Sequence, residues 1–168
     1  MKRTGDYWKH ELGLEKHPEG GWFKEVYRSS ESFAKSGLPD RFDSQRAMAT
    51  SIYFLLEKND ISVLHRIKSD EIWHFYDGDP LELHAINTHG NHQIHLLGLD
   101  TKAGQLPQIT IPFGDWFSAR SLGSFTLVGC TVAPGFDFHD FEMGDREKLL
   151  DLFPHKKDFV IRFTHENR

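Results

Sequence analysis

Thr50-Ser51-Ile52-Tyr53-Phe54-Leu55-Leu56, Ile61-Ser62-Val63-Leu64-His65-Arg66-Ile67-Lys68 and Glu71-Ile72-Trp73-His74-Phe75-Tyr76-Asp77 are consecutive runs rich in β-branched and aromatic residues, and they decide the fold. Asn59-Asp60 breaks the first from the second, and Asp77-Gly78-Asp79-Pro80 ends the third before further runs at 81–87 and 92–97, which are joined through His89-Gly90-Asn91. Short strands at this spacing fold as a sandwich or a barrel, not as a parallel sheet wrapped by helices.

Working outward, the pattern resumes at 108–111, 116–119, 125–132 and 159–163, interrupted by a short helix predicted at 145–152 that ends before Pro154. Upstream, Thr4 is placed to cap a helix carrying Tyr7, Trp8 and Leu12, with Gly13 near its end. The turn-rich His17-Pro18-Glu19-Gly20-Gly21 leads into a strand at 22–27. The polar stretch 28–45 reads as a long loop suited to covering a pocket. The expected class is all-β with short N-terminal and C-terminal helices.

A chain of 168 residues fits a single domain spanning 1–168. Its formal charge of −5 argues against nucleic acid, because a phosphate-backbone binder needs clustered Lys and Arg. The N-terminus lacks the apolar run of a signal peptide, and no stretch approaches the ~20 apolar residues that span a bilayer, so the expectation is a cytoplasmic protein without membrane contact. The single cysteine, Cys130, lies in Leu127-Val128-Gly129-Cys130-Thr131-Val132 and reads as part of a buried strand.

Asn59, His65, Ile67, Glu71 and Gly78 fall on the first cupin motif, Gly-x5-His-x-His-x3–4-Glu-x6-Gly, with asparagine in place of the first glycine at a left-handed turn and isoleucine in place of the second histidine. Pro112 and Gly114 fit the second motif, where Phe117 replaces its histidine and Ser121 its asparagine. The chain thus resembles the cupins, whose fold is a double-stranded β-helix, the jelly-roll barrel with a pocket inside. Over nearly its full length it is similar to a family of small stand-alone cupins of uncharacterised function, through His17-Pro18-Glu19-Gly20-Gly21-Trp22-Phe23, residues 50–56, Ser69-Asp70-Glu71-Ile72-Trp73-His74 and Val132-Ala133-Pro134-Gly135-Phe136. That family is similar in fold to the dTDP-4-keto-sugar epimerases, jelly-roll dimers that do acid–base chemistry without a metal. The resemblance implies a homodimer and a small-molecule ligand such as a sugar or nucleotide-sugar.

Cupin metals are usually held by three histidines and a glutamate, and only His65 and Glu71 survive here, so no metal cofactor is expected; if one bound, these two would be its ligands. His84, His89, His92 and His95 read as a solvated hairpin. Strand alternation places Val63, His65 and Ile67 on one face, and Glu71 and Trp73 opposite His74 and Tyr76. In the cupin frame His65 faces into the barrel as general base with Glu71 orienting it, and Tyr53 or Tyr76 supplies an acid. Lys68, Trp73, His74, Phe117 and Arg120 complete the candidate ligand contacts. Phe136, Phe138 and Phe141 are expected to pack, with His139 at the rim. Three readings stay open: a metal-independent sugar or nucleotide-sugar epimerase or isomerase, a non-catalytic binding protein, and a metal-dependent enzyme using His65 and Glu71.

Overall fold

A computed structural model describes residues 3–165. Helix α1 (Gly5–Leu12) precedes strands β1 (Glu15–Lys16), β2 (Trp22–Arg28), β3 (Ser32–Phe33), β4 (Arg46–Ala47), β5 (Thr50–Glu57), β6 (Ile61–Arg66), β7 (Asp70–Gly78), β8 (Leu81–Ile86) and β9 (His92–Leu97). Then come β10 (Gln108–Ile111), β11 (Trp116–Ser121), β12 (Phe125–Ala133), β13 (Glu142–Met143), α2 (Arg146–Leu152) and α3 (Lys157–Arg162).

A six-stranded sheet in the order β1-β2-β5-β12-β7-β10 faces a five-stranded sheet in the order β13-β6-β11-β8-β9, all pairs antiparallel. Alternation sends Phe54, Trp73, Val128 and Cys130 from the first sheet and Leu83, Ala85, Phe117 and Ala119 from the second into one shared core. The outer faces are covered separately. Trp8 and Leu12 of α1 pack against Leu55, Phe125 and Leu127, while Leu149, Val160 and Phe163 of the C-terminal helical segment pack against Leu64, Ile86 and Trp116.

Helix α1 begins as expected: the Thr4 hydroxyl accepts from Tyr7 N–H at 3.2 Å, and Gly13 closes the helix at φ 61°. Asp145 caps α2 by accepting from Lys148 N–H. Three expectations fail. Residues 159–162 lie in helix α3, with Phe163 as its C-cap, instead of a strand; Phe159, Val160 and Phe163 pack on one side, and a short apolar run carries too few residues to separate the two periods. Asn59 makes no left-handed turn, since among the described residues only glycines have positive φ. The 28–45 stretch does not cover the pocket. Beyond Arg28 it contributes no lining residue, and it is held instead by fully buried Phe42 and by neighbouring Arg46, whose guanidinium clamps Asp140 at 2.6 Å through both Nε and Nη2.

Among the described residues, no helix is long and apolar enough to cross a membrane.

Candidate functional site

Between the sheets lies a cavity of about 390 Å³, walled by the aromatic rings of Phe23, Phe54, Trp73, Phe136, Phe138 and Phe141. Among the described residues, the buried side chains with polar atoms that line it are Glu19, Thr50, His65, Glu71 and Cys130.

Glu19 arrives by the turn after His17. Gly20 and Gly21 take φ of 107° and 74°, and a Cβ at Gly20 would collide with the Ile61 carbonyl, so only glycine lets the chain press this tightly against β6. That approach lets the Glu19 carbonyl accept from Val63 N–H at 2.9 Å and drives its carboxyl into the barrel. There Oε1 accepts from the Ser62 hydroxyl at 2.8 Å, and Oε2 lies 3.1 Å from His65 Nε2 and 3.5 Å from His17 Nδ1.

His65 is fixed at both nitrogens. Nδ1 donates to its neighbour's carbonyl, Val63 O, at 2.7 Å, and Nε2 meets Glu19. Its ring packs on Phe117 and Phe141, with centroids 4.1 and 5.3 Å away. Burial lowers the imidazole to about 4, so the ring is neutral at pH 7, and burial raises the Glu19 carboxyl. With Nδ1–H committed to Val63, the Glu19–His65 contact needs one shared proton, which these opposite shifts place on the carboxyl.

His17 is likewise lowered by burial; its Nδ1 accepts from Glu19 N–H at 3.3 Å, which leaves its proton on Nε2. Glu71, on β7, has a different environment. No Lys, Arg or His pairs with it among the described residues; the Cys130 thiol of the adjacent strand donates to it, and burial reinforced by nearby Glu19 pushes it up to about 8. At the mouth Arg28 is held by Glu25 (2.6 and 2.9 Å) and by the Phe136 carbonyl, while His139 pairs with Asp137 at 2.6 Å.

The structure brings His65, Glu71, Ile67 and Trp73 into the cavity wall, the face that the cupin resemblance turns inward. It pairs His65 with Glu19, not with Glu71. Tyr53 and Tyr76 are not in the cavity: they stack edge-on at 6.1 Å on the outer face of the six-stranded sheet, where His74 contacts Thr131. Lys68 leans on Asp140 and Asp43 outside the cavity, Arg120 donates to Glu82 on the outer face of the other sheet, and Phe117 backs His65 without lining the pocket. The histidine hairpin is only partly solvated, because buried His84 lies 3.0 Å from His92 Nε2 and 2.9 Å from Glu82.

Sequence reasoning missed Glu19, His17 and the cavity-facing role of Cys130. The available signal was Gly20-Gly21, which marks a backbone pressed close to something. Phe136, Phe138 and Phe141 pack as expected, but as the cavity's outer wall. The residues present do not fit the cupin metal set: buried Ile67 and Phe117 replace two ligands and both His65 nitrogens are engaged. Among the described residues no three His, Cys, Asp or Glu side chains are grouped to hold an ion, and no step below runs through a metal.

A profile described as Cupin superfamily (DUF985) matches residues 6–144. The uncharacterized protein YML079W of Saccharomyces cerevisiae is 30% identical over 157 residues, covering 85% of this chain and 77% of the yeast protein. The solved structure of protein SO0799 from Shewanella oneidensis is similar at TM-score 0.88 and 38% identity, covering 99% of this chain and all of that one. A hypothetical protein from Leishmania major gives 0.89 and 32%, covering 98% of this chain and all of its own. Oxalate decarboxylase from Bacillus subtilis shares the fold alone, at TM-score 0.56 and 16% identity over 90% of this chain and 37% of that one. With two facing antiparallel sheets around an internal cavity and a profile matched over most of its length, the chain belongs to the cupin superfamily.

Proposed function

We propose that this cupin is a metal-independent isomerase that moves a proton on a small hydroxy-carbonyl compound of the sugar type. The observation that carries the reading is Glu71: a buried carboxyl without an ion-pair partner among the described residues, facing an aromatic-walled cavity and held near 8, where an acid–base group works at neutral pH.

In its ionised form Glu71 takes the proton from the carbon next to the carbonyl. The His17 Nε2–H is the donor available to the carbonyl oxygen, a neutral imidazole polarising it as charge develops. Glu71 then delivers a proton, exchangeable with solvent while it sits on the carboxyl, to the former carbonyl carbon. The adjacent hydroxyl gives up its proton to become the new carbonyl, and the former carbonyl oxygen beside His17 takes one up, so the 1,2-shift has no net proton gained or lost. One free carboxyl on one wall suits such a shift better than epimerisation, which needs a second acid on the opposite face. His65, capped at both nitrogens, holds Glu19 in place instead of touching the ligand.

The test is solvent exchange. A panel of aldoses and ketoses incubated with the protein in D2O is followed by proton NMR for loss of the signal next to the carbonyl. Exchange with the native protein that vanishes in Glu71→Gln supports the reading. A sugar that binds without exchange would make the protein a non-catalytic binding cupin.

A further inference from the structure

We infer that the cavity's ligand carries a positively charged amine. This rests on the cavity being the working site and names the class of compound that enters it. The ionisable side chains that line the cavity are mostly acidic: the carboxyls of Glu19, Glu25, Glu71 and Asp137 against a single arginine, Arg28. Arg28 is already spent on the two Glu25 oxygens and the Phe136 carbonyl, so among the described residues lining the cavity no Lys or Arg remains free for a phosphate or a carboxylate. An anionic ligand, a nucleotide-sugar diphosphate included, would enter against carboxyl groups with nothing to pair with.

The second observation is Glu71 itself. It is 8% exposed, it lines the cavity, and its contact there is a thiol, a weak donor that supplies no positive charge. In its ionised form this desolvated carboxyl needs a cation and good hydrogen bonds to offset the loss of water. Facing it across the cavity are Glu19, His65 and His17, and at the mouth Glu25, Arg28, Asp137 and His139, each with a partner of its own. The missing positive charge is therefore one that the ligand brings.

The third observation is the wall. Six aromatic rings surround the space, and the negative faces of such rings attract ammonium groups, the arrangement used wherever proteins cage organic cations. The volume, about that of a dozen liquid waters, takes a compound of single-ring size. An amine-bearing hydroxy-carbonyl compound of amino-sugar size meets all of these features, with its ammonium beside Glu71 and its ring against the aromatic wall.

The experiment compares three probes of one shape and different charge, cyclohexylammonium, cyclohexanol and cyclohexanecarboxylate, titrated at pH 7 into the full-length protein and followed by protein NMR shifts. The ammonium is expected to bind about tenfold or more tightly than the alcohol, the carboxylate weakest of all. Glu71→Gln, checked for folding by circular dichroism, is expected to erase the ammonium's advantage while keeping the alcohol's affinity. Should that variant not fold, a competition between the ammonium and the alcohol on the native protein decides alone. Equal or stronger binding of the alcohol or carboxylate overturns the inference, as does no binding of any probe at millimolar concentration. A clear ammonium preference with no deuterium exchange on any sugar would leave this inference standing and sink the isomerase reading; exchange confined to neutral sugars would do the reverse.

Discussion

Replacing Glu71 by glutamine should alter how stability depends on pH more than it alters stability itself. The folded carboxyl titrates at about 8, whereas its ordinary value is 4.5. Between those values the folded protein keeps a proton that the unfolded chain releases, so the unfolding free energy falls as pH rises and the loss is complete above 8. At ~1.4 kcal/mol per pH unit the full span amounts to about 5 kcal/mol. His65 acts with the opposite sign. Its folded value is about 4 against an ordinary 6.5, so the unfolded chain binds a proton that the buried ring refuses, and stability falls as pH drops through that window, by about 3 kcal/mol. The two slopes oppose each other from pH 4.5 to 6.5, which leaves about 2 kcal/mol of uncompensated loss from Glu71 between pH 6.5 and 8. Urea unfolding at pH 6.5 and 8.5 measures it: the native protein should weaken by about 2 kcal/mol more than Glu71→Gln over that interval. Glu19, His65 and Cys130 are present in both proteins, so the difference reports Glu71 together with its coupling to Glu19 and Cys130. Parallel losses in the two proteins would show that Glu71 ionises freely, and the proposed acid–base role would lose its basis.

Gly20→Ala should cost at least ~2 kcal/mol and displace the Glu19 carboxyl, because the added Cβ meets the Ile61 carbonyl at a positive φ; a thermal melt showing no change would contradict the close approach. Arg46→Met removes the two short hydrogen bonds to the buried Asp140 carboxylate and leaves it, among the described residues, with Lys68 alone, so it should destabilise by about 3 kcal/mol, whereas the double change with Asp140→Leu should recover much of that loss in the same urea assay. Phe138, 56% exposed at the cavity mouth, should tolerate replacement by alanine within ~0.5 kcal/mol while ligand affinity falls; an affinity equal to the native protein's would remove it from the binding wall. Dialysis against EDTA should leave deuterium exchange unchanged, and a loss reversed by one equivalent of a divalent ion would overturn the metal-free mechanism.

Period-2 alternation in 50–56, 61–68 and 71–77, punctuated by Gly, Pro, Asn and Asp, was enough to read a sandwich or barrel and to tell which residues share a face, because alternation is a property of a strand's own residues; the cupin motifs then said that the His65 face looks inward. The absence of two histidines, at Ile67 and Phe117, was legible for the same reason: side-chain identity is written position by position. What tertiary structure alone decided is which groups meet. Tyr53 and Tyr76 stood as candidate acids beside His65, Tyr76 already on the strand face opposite Glu71, and the pairing of β5, β12 and β7 puts both on the outer face. Residues 159–163 carried too short an apolar run to declare a helix before packing against Leu64 and Trp116 settled it. Glu19 reaches His65 from 46 positions away through a glycine-glycine turn, and Cys130 meets Glu71 across neighbouring strands. Those contacts set the protonation of the site, since burial and the nearest charge, not residue type, fix where a carboxyl titrates.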